Sequence, residues 1–234
     1  MAASLSFLVS DRCSLIRAFG ERGLDLLHFP TRAARKRAHN GLEEELYIFR
    51  RYLFSLEAAG MLSYPIRLMK DETPDFTCWS NDIVWGVEIT EATTRADQRE
   101  MTLEERSEQP ALLGTFGGRY KGGIRDAAHP ERGRRADRDL TSDVLRAVRR
   151  KHGLLYNSAP VDLLLYANGN ASMMADFATF SPLVCQRLNR WSAAVTASGK
   201  VRRVAIMKEP KLILWDGPEH TTELNLHESL PVQK

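Results

Sequence analysis

The stretch from Thr73 to Thr94, TPDFTCWSNDIVWGVEITEATT, constrains the fold more than any other part of the chain, because its pattern specifies a β-hairpin in one register. Phe76–Ser80 is rich in β-branched, aromatic and sulfur side chains, Asn81-Asp82 is a two-residue turn signal, and Ile83–Thr90 resumes strand-type residues. Counting outward from the turn pairs Ser80 with Ile83, Trp79 with Val84, Cys78 with Trp85, Thr77 with Gly86, Phe76 with Val87 and Asp75 with Glu88. Alternation then puts Phe76, Cys78, Ile83, Trp85, Val87 and Ile89 on one face and Asp75, Thr77, Gly86, Glu88 and Thr90 on the other. That split supports this register, with a slip by one residue as the alternative.

Two carboxylates directly opposite each other sit about 5 Å apart at Cβ, an unfavourable pairing unless something compensates it. A hard divalent cation does so naturally, since Mg²⁺ binds through one or two carboxylates plus water and substrate phosphate oxygens. The plainer alternative is that both acids face solvent on an uncovered sheet.

Pro74-Asp75, followed after residues 76–87 by Glu88-Ile89-Thr90 at the end of an apolar strand, resembles the motif of the PD-(D/E)xK nuclease superfamily. The resemblance covers about residues 40 to 168. It implies a restriction-endonuclease-like α/β core, with a helix before a central mixed β-sheet flanked by helices, and a Mg²⁺ (or Mn²⁺) site on two adjoining strands. Asp75 and Glu88 would hold the metal and Ile89 would lend a main-chain carbonyl. Where the family has lysine this chain has Thr90, which carries no charge. Some branches replace that lysine or bring it from elsewhere. The resemblance implies that a displaced lysine often comes from the helix after the motif, which favours Lys151; Lys121 is the other candidate.

Upstream, Asn40 with Glu43 matches a capping box, and Leu42, Leu46, Phe49, Leu53 and Leu56 form an apolar stripe that Gly60 terminates. Glu45 borders that stripe, while Glu43 and Glu44 point further away. A glutamate on the helix before the motif strands often joins the superfamily's metal site, so the resemblance implies Glu45 as third ligand, with Glu44 in reserve. Helical glutamates are otherwise solubilising. Ser63–Lys70 reads as the strand leading into the hairpin, Pro160–Ala167 as a central strand buried on both faces, and Val201–Lys208 and Lys211–Trp215 as two more. Thr141 or Asp139 can cap a helix through His152, and Ser181-Pro182 starts another to about Ala197.

The 234 residues, 43% of them hydrophobic, suffice for one domain with a sizeable core. Expected divisions are a helical and basic extension at 1–39, a nuclease-like domain at 40–216 with a Gly/Arg-rich insertion at about 95–139, and a loosely ordered tail at 217–234. Within the insertion Arg119, Lys121, Arg134 and Arg135 can meet phosphates, helped by glycine amides. Its GGRYKGG lacks the ending of a Walker loop. A net charge of only +3 means that nucleic-acid binding rests on such local clusters, and the basic run TRAARKRAHN at 31–40 is another, or simply a solvated linker.

Cys13, Cys78 and Cys185 are widely spaced, without CxxC, and read as buried thiols in a reducing cytoplasm. No HxxxH spacing suggests zinc, no apolar run approaches a membrane span, and the start lacks a basic segment ahead of its short apolar run. The expectation is therefore a soluble cytoplasmic, Mg²⁺-dependent nuclease acting on nucleic acid, DNA in the first instance, with a homodimer left open. The alternative is a catalytically degenerate nuclease-fold protein that binds nucleic acid or another protein, motivated by Thr90.

Overall fold

Asn81 takes a φ of 53°, the left-handed conformation that a tight hairpin turn needs and that asparagine tolerates. The strands it joins, β3 (Phe76–Ser80) and β4 (Ile83–Glu91), pair antiparallel in the expected register, from Ser80↔Ile83 to Phe76↔Val87. This computed structural model describes residues 6–20, 42–92, 130–153, 159–167, 172, 175–196, 200–227 and 229–230.

The protein is an α/β structure built on one open, mixed sheet of eight strands in the order β1 to β8. Its remaining strands are β1 (Ser6–Val9), β2 (Ile66–Lys70), β5 (Val161–Tyr166), β6 (Val201–Lys208), β7 (Lys211–Gly217) and β8 (His220–Asn225). The helices are α1 (Arg12–Gly20), α2 (Leu42–Ala58), α3 (Pro130–His152) and α4 (Phe177–Thr196). Strands β4, β5 and β6 run parallel and all other neighbours antiparallel. Helices α1 and α2 share one apolar cluster with Phe76, Cys78, Trp85, Val87 and Ile89, on one side of the sheet. Helices α3 and α4 share a second cluster with Leu163, Leu165, Val204 and Ile206, on the other side. The side chains of Glu88 and Thr90 alternate onto this second side.

Helix α2 is buried more fully than an amphipathic stripe requires: besides Leu46, Phe49, Leu53 and Leu56, the side chains of Tyr47, Ile48, Tyr52 and Phe54 are buried. Helix α1 accounts for part of this, because Phe19 packs edge-on to Phe49 at 6.3 Å and to Phe54 at 6.1 Å. Strand β5 is buried on both faces as expected, yet it contains fully buried Asp162. That charge is matched by the Tyr52 hydroxyl at 2.7 Å and by the Arg202 guanidinium at 2.7 and 2.5 Å, so no buried carboxylate is left bare there.

Several boundaries differ from the sequence reading. Residues 6–9 form an edge strand paired with β2 rather than a helix. Helix α3 begins at Pro130, not at 139–141: proline is favoured at a first helical position, and the tertiary contacts of Ala136 and Leu140 override the helix-weakening glycine. Helix α4 begins at Phe177, where the Asp176 carboxylate accepts the Thr179 N–H at 3.1 Å, so Pro182 lies inside it. The expected loose tail contributes β8, paired with β7 from Lys211↔Asn225 to Gly217↔His220. Cys78 is buried, but Cys185 is half-buried and Cys13 exposed. Among the described residues no helix is long and apolar enough to cross a membrane.

Candidate functional site

Asp75 lies one step before the first paired residue of β3 and therefore opposite Glu88, as the register requires. Its Oδ2 accepts the main-chain N–H of Ile89 at 2.7 Å, which fixes the carboxylate across the two strands. Pro74 is held just as firmly: a Cβ added to Gly86 would lie 2.4 Å from the Pro74 ring, so the ring occupies the space that glycine leaves open. The Pro-Asp dipeptide and Gly86 thus form one steric unit. Ile89 serves here through its amide, with its side chain in the opposite core.

Glu88 is 4% exposed on the face covered by α3. Lys151, from the last turn of α3, contacts its Oε1 directly, while Oε2 is buried and has no hydrogen-bond partner. Burial pushes the Glu88 carboxyl up from its ordinary value, the nearby Asp75 charge adds to this, and the Lys151 ammonium opposes it. Thr90, two residues on, is buried and accepts a hydrogen bond from the Arg150 guanidinium at 2.8 Å. The position lacking a lysine therefore has an arginine bound to its hydroxyl and a lysine on the preceding acid.

On the other flank Lys70, the last residue of β2, bridges Glu45 and Asp75: its Nζ is 3.0 Å from Glu45 Oε2 and 3.5 Å from Asp75 Oδ1. The ammonium also lies 5.0 Å from the centre of the Phe76 ring. Sequence reasoning missed Lys70, although it ends the strand leading into the hairpin and is therefore a neighbour of Asp75 in the sheet. Glu45 thus approaches the site through a lysine.

The chain accordingly brings Glu45, Asp75, Glu88, Ile89, Thr90 and Lys151 to one place, with Lys70 and Arg150 added. Arg119 and Lys121 lie outside the described residues; Arg134 and Arg135 fall in the first turns of α3, but their side chains are also outside what is described. Among the described residues, no three His, Cys, Asp or Glu side chains are grouped so as to hold a metal ion. The residues that could hold one are Asp75 and Glu88, the latter with an unpartnered oxygen. Comparison of the chain with protein-family models, curated proteins and solved structures finds no match.

Proposed function

We propose that this protein is a metal-dependent nuclease of the PD-(D/E)xK type, with a restriction-endonuclease-like core, that hydrolyses phosphodiester bonds in nucleic acid, in the first instance DNA. The observation that carries the reading is the buried Glu88 carboxylate, one oxygen on Lys151 and the other without a partner, opposite an aspartate pinned by the amide of Ile89. Mg²⁺ or Mn²⁺, when bound by Asp75 and Glu88, supplies activation of water and polarisation of the scissile phosphate. The protein's own part is positioning and charge. Lys151 keeps a cation beside Glu88 and can turn it toward a phosphate oxygen, which makes it the stand-in for the lysine absent at Thr90. Arg150 adds a guanidinium in the same place. Lys70 holds Asp75 and Glu45 in register, giving Glu45 a supporting role.

The test is cleavage of end-labelled DNA and RNA with Mg²⁺, Mn²⁺ and excess chelator. Wild-type protein should cut in a metal-dependent way, and Asp75→Ala and Glu88→Ala should each abolish cutting; metal-dependent cutting by the double variant rejects the assignment. A second reading, a degenerate nuclease-fold binder, is favoured by Thr90 and by the Lys151–Glu88 contact that neutralises the acid. It predicts affinity that falls steeply with salt and no cleavage under any metal.

A further inference from the structure

The sheet face that carries Glu88 continues past Gly86 onto β1, β2 and β3, where none of the described helices covers it. Leu8, Arg67, Trp79 and Val84 are successive cross-strand partners there, forming one row across four strands. Leu8, at one end of the row, is 73% exposed and Val84, at the other, 39%. Between them Arg67 is exposed and Trp79 half-buried, with the guanidinium 5.4 Å from the centre of the indole ring. Strand geometry sets this row roughly 13 Å from Glu88 along β4, a reach spanned by a short run of nucleotides. Asp71, the residue after β2, is engaged by the Thr77 hydroxyl at 2.7 Å.

We propose that this row is a stacking platform for the unpaired bases of a single-stranded nucleic acid, delivering the strand to the Asp75–Glu88 site. The inference rests on the reading of that site as a phosphodiester site and names its substrate class. An aromatic ring with a cation close beside it, set in an exposed sheet, offers a π surface for a base and a positive charge for the adjoining phosphate. A double helix presents its bases only edge-on, so such a ring gains little from it, whereas a single strand exposes every base face. Continuity with the face of Glu88 supplies direction, and Arg150, hydrogen-bonded to Thr90 in the site itself, offers a guanidinium to the phosphate that arrives there.

The experiment is fluorescence anisotropy of a short labelled oligothymidylate and of a duplex of equal length, at fixed low salt with Ca²⁺ replacing Mg²⁺. Wild-type protein should bind the single strand more tightly; Trp79→Ala should weaken that binding roughly 5- to 150-fold, Trp79→Phe should retain most of it, and Arg67→Ala should weaken it less. Met61→Ala, which removes exposed apolar surface after α2, is the control. Tighter binding of duplex, binding indifferent to Trp79→Ala, absence of single-strand binding, or a protein dimer dispersed by Trp79→Ala each overturns the platform. Trp79-dependent binding without any metal-dependent cleavage upholds the platform and removes the nuclease reading. Cleavage requiring Asp75 and Glu88 with binding indifferent to Trp79 does the reverse.

Discussion

One face of the sheet is built in two ways. Over β4, β5 and β6 it is roofed by α3 and α4, and its side chains, among them Leu163, Leu165, Val204 and Ile206, are fully buried. Over β1, β2, β3 and the first residues of β4 none of the described helices roofs it, and the corresponding row is Leu8, Arg67, Trp79 and Val84. Glu88 sits at the seam. There burial is deep enough to raise its proton affinity. A carboxylate in the roofed half would be neutralised or tied up, as Asp162 is on the opposite face by Tyr52 and Arg202; one in the open half would be an ordinary hydrated acid.

That contrast can be broken at graded points. The largest effect belongs to the roofed half: Leu163→Ala should lower unfolding free energy by about 2–5 kcal/mol, measured by urea titration. At the seam, Gly86→Ala drives a methyl group into Pro74 and should cost about 1–3 kcal/mol through overpacking. Because Asp75 is joined to Pro74, metal-dependent cleavage should fall further than stability does, and equal losses would argue against the steric unit. Lys151→Met should leave the Glu88 charge without its cation, costing about 1–3 kcal/mol at neutral pH and about 10²–10³ in cleavage rate.

Glu88→Gln tests the burial of the charge itself. Since the carboxyl is raised in the folded protein, ionised Glu88 weakens the fold, and this penalty is present above the folded value and disappears as pH falls through it toward the ordinary value of 4.5. The glutamine variant should therefore melt higher than wild type at neutral pH, with the gap closing on acidification, while losing cleavage. A gap that widened at acid pH would contradict the assigned direction. The smallest effect belongs to the open half, where Leu8→Ser should change unfolding free energy by no more than about 0.5 kcal/mol, read from the same urea titration.

The hairpin was readable because its evidence is local. The turn at Asn81-Asp82 and the alternation on either side reach across only a few residues, so the pairing of Asp75 with Glu88 followed by counting. The central strand was readable from Val161–Tyr166 because burial on both faces leaves a continuous apolar run. The edge strand β1 was not, since four residues carry no periodicity strong enough to separate strand from helix, and its order comes from β2. The start of α3 was obscured by Gly133 among arginines, because a helix can be extended past poor local propensity when its inner face is packed.

Residue order alone determined the two facing acids, the absence of lysine at position 90, and the α/β succession of elements, all of which depend on spacing of two or of about three and a half residues. Which cations meet those acids was decided by the tertiary structure. Lys151 reaches Glu88, Arg150 reaches Thr90, and Lys70 bridges Asp75 to Glu45 only because a crossover helix and a neighbouring strand end at that place in space. The physical reason is range: backbone pairing is encoded between near neighbours, whereas a charge contact across some sixty residues depends on how the apolar layers between them pack.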